Sequence, residues 1–223
     1  ERIASMFGQL PLLTGGSGLL EPLARQWTEK LSFQGRIPDN ATAGMALLLA
    51  GSCSKATLLQ IAWYQGQGGP CYQLNPKEML EGRQTLDDAW RFVEEHAGGT
   101  AAVLVYSSDT PEKVREYQKL GAEKVAAALE GAAAGLAVRA VKAGYTRIIS
   151  AGGETSGAVT KGLGFSSYWM GESVAPGVPI MVPAERPDIR LILKSGNFGQ
   201  EDFFGRALAM TAKPNTPSHG AGQ

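Results

Sequence analysis

The residues with the most distinctive chemistry are nearly absent from these 223 residues: two cysteines, Cys53 and Cys71, and two histidines, His96 and His219. Two cysteines are too few for a disulfide scaffold. Neither histidine stands at metal-ligand spacing from a cysteine, which argues against a zinc site. An excess of one charge is also missing. The 21 basic residues are matched by 21 acidic ones, so the broad basic footprint of a nucleic-acid binder is excluded, although a local basic pocket is not. No apolar run reaches the roughly 20 residues of a membrane span, and no secretory leader is evident. The stretch from Ala126 to Val141 carries Glu130 and Arg139 and reads as a soluble helix. The expectation is a cytoplasmic protein with neither a membrane nor a nucleic-acid partner.

What is abundant is glycine, 29 of 223 residues, about twice the usual ~7%. Hydrophobic residues make up 43%, enough for one large α/β domain or two small ones. Five apolar runs each end in a small-residue turn that leads into a helical pattern. Leu10–Leu13 meets Thr14–Gly18 and a helix over Leu19–Leu31; Met45–Leu49 meets Gly51–Ser54 and a helix over Ala56–Tyr64. Ala101–Tyr106 meets Ser107–Thr110, with Pro111 suited to a first helical turn. Ile148–Ser150 meets Gly152–Gly157, and Ile189–Leu193 meets Lys194–Gly199 and a closing helix over Glu201–Met210.

Strands alternating with helices predict an α/β fold of three layers: a mainly parallel, Rossmann-like sheet with helices on both faces. A shorter strand is expected at Cys71–Leu74, and Thr85 is expected to cap a helix running to about His96. The helix over Val114–Ala143 breaks near Gly121. Gly131 and Gly135 lie one turn apart, a spacing that serves close packing on the sheet or, alternatively, a homodimer. Pro176, Pro179, Pro183 and Pro187 predict an irregular or edge-strand segment. Residues 1–211 read as the domain and 212–223 as a polar tail. The chain opens on Glu1 rather than methionine, which suggests a piece of a larger enzyme.

Open parallel sheets bind ligands beyond the carboxyl ends of their strands. Glycine there lets backbone N–H groups approach an anion, and each following helix offers its positive end. Repeated Gly/Ser/Thr turns therefore point to phosphate or nucleotide binding. The dinucleotide fingerprint G-x-G-x-x-G is absent, since Leu19, Leu20 and Glu21 follow Gly16-Ser17-Gly18, and no acidic residue closes the second strand; NAD is disfavoured. Gly152–Gly157 has the frame of a P-loop, but Ala158 and Val159 replace its Lys and Ser/Thr. Glu154 is the sharpest residue. A carboxylate in a phosphate cradle holds Mg²⁺ or accepts from ribose hydroxyls; otherwise it is a first-turn residue favoured by the helix dipole. Ser52 and Ser54 either donate to phosphate or cap the next helix. Lys194 is a phosphate partner or, as is commoner at strand ends, solvated. Asn197 and Gly199 belong to a loop shaped to close on a base or ribose. For acid–base work only Asp109 is placed at a strand end, and Ser-Ser-Asp-Thr also reads as a helix cap.

The segments Thr14-Gly15-Gly16-Ser17-Gly18-Leu19, Gly51-Ser52-Cys53-Ser54, Gly152-Gly153-Glu154-Thr155-Ser156-Gly157, Pro176-Gly177-Val178-Pro179 and Lys194-Ser195-Gly196-Asn197-Phe198-Gly199 occur in this order. Together they resemble the four-carbon acid sugar kinases over roughly Leu10 to Leu208. That resemblance implies the carboxyl-terminal nucleotide-binding domain of an enzyme that uses ATP and Mg²⁺ to phosphorylate the terminal hydroxyl of 3-oxo-tetronates or related four-carbon sugar acids. It implies that Ser52, Gly153, Glu154, Thr155, Ser156 and Gly196 contact ATP, with Gly152 and Asn197 added by the turn chemistry. The family's amino-terminal domain, with its Asp-Asp-x-Thr-Gly motif and sugar-acid site, has no counterpart in these residues. The catalytic groups are expected there, and this chain alone is expected to be inactive. A nucleotide-sensing domain without catalysis, or less readily a dehydrogenase-like domain, is the rival reading.

Overall fold

The computed structural model describes residues 1–15, 17–31, 38–96 and 102–213. They fall into two compact units, Glu1–Ile37 and Pro38–Gln223. The first holds helices α1 (Arg2–Phe7) and α2 (Leu20–Leu31), with a short 3₁₀ turn at Ser17–Leu19. The strand expected at Leu10–Leu13 is not formed. Leu10 and Leu12 are exposed, so among the described residues little of this apolar run is buried. Gly16 and His219 lie outside the described residues, as does the expected tail beyond Lys213.

Among its described residues the second unit contains seven strands: β1 (Ala46–Ala50), β2 (Cys71–Gln73), β3 (Val103–Tyr106), β4 (Arg147–Ala151), β5 (Tyr168–Ala175), β6 (Val178–Pro183) and β7 (Arg190–Lys194). Its helices are α3 (Lys55–Gly66), α4 (Pro76–Leu80), α5 (Leu86–His96), α6 (Pro111–Gln118), α7 (Ala122–Lys142), α8 (Gly153–Leu163) and α9 (Phe203–Thr211). One sheet runs β2-β3-β1-β4-β7-β6-β5, parallel from β2 to β7 and antiparallel through β6 and β5. Every residue of β1 is buried, as expected of a parallel strand covered on both faces.

Alternation along the strands sends side chains to two separate cores. Leu48, Ile149 and Ile192 meet Ile61 and Tyr64 of α3 and Phe203, Phe204 and Ala207 of α9. Leu47, Leu49, Ile148 and Leu191 meet Trp90 and Val93 of α5, Leu136 and Ala137 of α7, and Val159 of α8. The three-layer α/β arrangement is as the periodicity predicts. The helix expected over Val114–Ala143 is indeed two, separated at Gly121, whose φ of +106° suits glycine. Gly135 gives room to the Leu86 side chain of α5, 2.9 Å from where a Cβ would stand, rather than to the sheet. The proline-rich segment is more regular than its sequence suggests. β5 and β6 form a hairpin turning at Pro176-Gly177, with register shifts along β5, and Pro179 and Pro183 lie in β6, inside the sheet edge. Pro179 is tolerated because β6 pairs with β7 only at Ile180 and Met181. Among the described residues no helix is long and apolar enough to cross a membrane.

The chain leaves β1 for the β2 edge over the α3 face and leaves β4 for the β5 edge over the α8 face. β1 and β4 are adjacent, so the crevice beyond their carboxyl ends is the topological switch point of the sheet. The rigid seat of α8 is its crossing with α7, where a Cβ on Gly162 would stand 3.0 Å from Ala134 Cβ. Gly162→Val should overpack this crossing and lower the unfolding free energy by about 1–3 kcal/mol. Urea denaturation against a surface control, Glu123→Ala, measures it; equal midpoints would show that the crossing yields freely.

Candidate functional site

Strand register brings four of the predicted turns to one edge, with Ser107–Thr110 beside Gly51 because Tyr106 pairs with Ala50, and the other three converge on one another. Ala50 pairs with Ala151, and Ala151 with Lys194, so Gly51–Ser54, Gly152–Thr155 and Ser195–Gly199 leave the sheet along one edge. Backbone bonds continue the ladder into the turns. Gly51 and Ser52 N–H donate to the Ala151 carbonyl at 2.9 and 3.3 Å, and Gly152 N–H donates to the Lys194 carbonyl at 2.7 Å. Two glycines are required by this closeness. Gly152 has φ +132°, and a Cβ there would stand 2.9 Å from Ser52 N. A Cβ on Gly196 would overlap Ser52 Oγ.

Gly152 also serves as N-cap of α8, and no side chain caps that helix. Its first-turn N–H groups, at Gly153, Glu154 and Thr155, are left to an outside acceptor at the positive end of the dipole. Gly153 and Glu154 are exposed, and the Glu154 carboxylate has no ion pair among the described residues. Thr155 Oγ1 lies against Gly51. Ser156 points the other way: it is buried, its hydroxyl lies 3.2 Å from Ser150 Oγ, and its N–H is spent on the Gly152 carbonyl at 2.8 Å. Ser54 is the cap of α3, accepting from Thr57 N–H at 3.2 Å. Ser52 Oγ accepts from Ser54 N–H at 3.2 Å and stands where the three turns meet. Asn197 is exposed at the same edge.

Beneath the β7 turn lies a cluster that sequence reasoning did not find. The Gly196 carbonyl accepts from Thr57 Oγ1 at 3.0 Å and Lys194 Nζ at 3.0 Å, and makes a short contact with Ser54 Oγ. Lys194 is fully buried rather than solvated, with its ammonium 2.9 Å from Thr57 Oγ1 and 5.6 Å from the centre of the Phe203 ring. It has no carboxylate partner among the described residues. Gln60, also fully buried, donates to the Phe198 and Gln200 carbonyls, each at 3.0 Å. A signal for these residues was present. Thr57, Gln60 and Tyr64 recur at helical spacing on the face of α3 that also carries Ile61, and a polar residue on a buried face needs a partner. The Pro176-Gly177 turn joins them, because a Cβ on Gly177 would stand 3.1 Å from the Phe198 ring.

Two other candidates are held by neighbours of their own. Asp109 accepts from Gln73 Nε2 at 3.4 Å and Tyr117 Oη at 3.3 Å on the β2 side, while Thr110 caps α6. His96 holds its Nδ1 2.8 Å from the Phe92 carbonyl and stacks on the Phe92 ring at the end of α5. Among the described residues no three His, Cys, Asp or Glu side chains cluster as a metal site.

Burial draws the Lys194 pKa down from 10.5 to about 8. Between those values the unfolded chain holds a proton that the folded chain has released, so this group's contribution to stability rises with pH across that window and is flat below it. Wild type should therefore gain stability relative to Lys194→Met as pH rises from 8 to 10. Urea unfolding of both proteins across that range is the measurement, and parallel profiles would contradict it.

Residues 47–204 match the family described as the nucleotide-binding C-terminal domain. Curated relatives include a 3-oxo-tetronate kinase of Pseudomonas savastanoi, 40% identical over 91% of this chain and 47% of its own length. A 3-oxo-tetronate kinase of Brucella melitensis is 36% identical over 93% of this chain and 48% of its own. The chain thus spans about half the length of the curated relatives it matches. A crystal structure of a Haemophilus influenzae protein superposes with a TM-score of 0.77 at 35% identity, covering 93% of this chain and 50% of that one. The matched residues contain the three turns, the α8 N-terminus and the Gly196 cluster: this chain belongs to the nucleotide-binding C-terminal domain family.

Proposed function

We propose that this chain binds ATP with Mg²⁺ along the edge formed by the β1, β4 and β7 turns, as the nucleotide half of a kinase for four-carbon sugar acids such as 3-oxo-tetronate. The observation that carries the reading is the convergence, in strand register, of three turns that exclude a Cβ and leave the α8 N-terminus uncapped. Backbone donors so arranged fit phosphate oxygens. The first-turn N–H groups of Gly153, Glu154 and Thr155 supply the donors. Ser52 adds a hydroxyl at the junction, and Gly152 and Gly196 keep the backbone close. Ser156 supports the turn from behind through Ser150, a different role from direct contact.

Glu154 fits a metal role. Mg²⁺ is commonly held by one or two carboxylates together with phosphate oxygens, and this carboxylate is exposed, free and next to the phosphate donors. The ion would neutralise phosphate charge during transfer. The names of the relatives support the sugar-acid assignment. In this reading the acceptor and its general base belong to the part of those relatives outside the match, because His96 sits on Phe92 at the end of α5 and Asp109, although its turn adjoins Gly51, is held by Gln73 and Tyr117. Holding an acceptor in line accounts for about 7–11 kcal/mol of a barrier in well-oriented cases.

Mg·ATP should bind this chain and raise its melting temperature by mass action. No heat and no thermal shift at millimolar nucleotide, with the protein shown folded, would end the proposal. Glu154→Gln should weaken ATP binding roughly tenfold, about 1.4 kcal/mol, with Mg²⁺ present, and much less without it. Equal losses in both conditions would assign Glu154 to ribose or to loop shape, and no loss would leave it a first-turn residue only. Assayed with a 3-oxo-tetronate, these 223 residues alone should show no useful turnover, whereas a full-length kinase carrying them should. Binding without turnover in both would favour a nucleotide sensor.

A further inference from the structure

A cavity of about 340 Å³ opens beside the β7 turn, between the Val174–Pro176 end of the hairpin, the Asn197–Gln200 loop, and Phe203 and Arg206 of α9. That volume is at the lower end of the roughly 300–1,000 Å³ of small-molecule sites. Its floor is apolar and buried: Val174, Ala175 and Phe203 are between 0 and 6% exposed. Phe198, by contrast, is 42% exposed. Its ring is backed by Gly177, and its backbone is drawn inward by Gln60, which holds the carbonyls on either side of Gly199. The loop is therefore shaped in advance with Asn197 and Gln200 exposed. Arg206 is exposed too and has no ion pair among the described residues. Among the described residues no carboxylate lines the cavity.

We propose that this cavity takes the heterocyclic base of the nucleotide, so that the Ser195–Gly199 segment serves phosphate at Gly196 and base from Asn197 onward. The inference rests on the phosphate reading above and adds to it the site that selects a nucleotide over a bare polyphosphate. Continuity is the first argument: Gly196 and Asn197 are consecutive, about 3.8 Å apart at Cα, so the two sites share a wall. Chemistry is the second. A flat aromatic base needs an apolar floor and a π face to stack on, which Val174, Ala175 and Phe198 offer. A guanidinium over such a ring adds a cation–π contact, which Arg206 is free to make. The Asn197 and Gln200 amides each present a donor and an acceptor, which suits the ring nitrogens and exocyclic groups of a base edge. A sugar acid, with hydroxyls on most of its carbons, would leave the apolar floor without a complementary surface.

The experiment compares ATP with inorganic tripolyphosphate, both with Mg²⁺, on wild type, Phe198→Ala and Arg206→Met. Both substituted residues are substantially exposed, so both variants should fold, and circular dichroism checks it. Phe198→Ala should weaken ATP by roughly 5- to 150-fold, the scale of one base–aromatic stack, while tripolyphosphate affinity stays within twofold of wild type. Arg206→Met should show the same selectivity with a smaller loss. If ATP binding is unchanged in both variants, or if ATP and tripolyphosphate weaken equally, the base lies elsewhere and the inference is overturned. Wild type binding tripolyphosphate no more weakly than ATP would overturn it as well, leaving the phosphate reading intact. Wild type binding neither would bring down the phosphate reading itself.

Discussion

The carbonyl of Gly196 accepts from Thr57 and Lys194 and touches the hydroxyl of Ser54. A carbonyl oxygen has two lone pairs, so three partners saturate it and fix its direction. The peptide unit is planar and trans, so a Gly196 carbonyl drawn inward turns the N–H of Asn197 outward, toward the edge where the turns converge. The same contacts tie the end of β7 to the start of α3, some 140 residues earlier in the chain. The spacing between the β1 and β7 turns is thus set by this cluster, and β4 lies between them in register. Taking an ammonium out of water costs several kcal/mol even after relaxation. Two hydrogen bonds and the Phe203 ring offset part of that cost, and among the described residues no carboxylate offsets the rest. A methionine of similar length would satisfy the core. What the lysine adds is a donor that grips the loop.

The parallel strands had declared themselves because burial on both faces demands it. Leu47-Leu48-Leu49 and Ile148-Ile149 are continuous apolar runs whose successive residues go to opposite cores, and such runs are legible without any partner in view. Leu10–Leu13 looks much the same in isolation but holds a proline, and Leu12 remains 85% exposed. Apolar composition alone did not distinguish them. β5 was hidden for the opposite reason. Trp169, Met170 and Glu172 are exposed, so this edge strand is covered on one side only and its register shifts break the period of two.

The candidate site was legible as chemistry and not as geometry. Glycine, serine and threonine at strand ends are read one turn at a time, and the family segments name them in order. Which turns lie together depends on strand order, which one sequence does not contain. Ser52 and Ser54 show the gap. Two residues apart and chemically identical, they have different tasks, because Ser54 faces Thr57 and Gly196 while Ser52 faces the junction of the turns. Ser156 is a similar case: its place in the family segment suggests contact, yet helical geometry turns it onto Ser150. Lys194 looked solvated because its partners, Thr57 and Phe203, come from helices on either side of it in the chain.

The balance of charge bears on how such an edge can work. The trough is built mainly of backbone N–H groups and hydroxyls at the positive end of α8, and the nearest buried cation is already spent on a carbonyl. Dipoles of this kind are preorganised and lose little by desolvation, so they hold an anion in place without binding it indiscriminately. They also do not cancel a full carboxylate. Glu154, exposed beside those donors with no cation of its own among the described residues, is repelled by any phosphate seated there unless a metal ion or a ribose hydroxyl intervenes. A neutral cradle with an unpaired acid at its rim is therefore incomplete toward phosphate alone. In the proposed reading, a nucleotide arriving with Mg²⁺ brings the component it lacks.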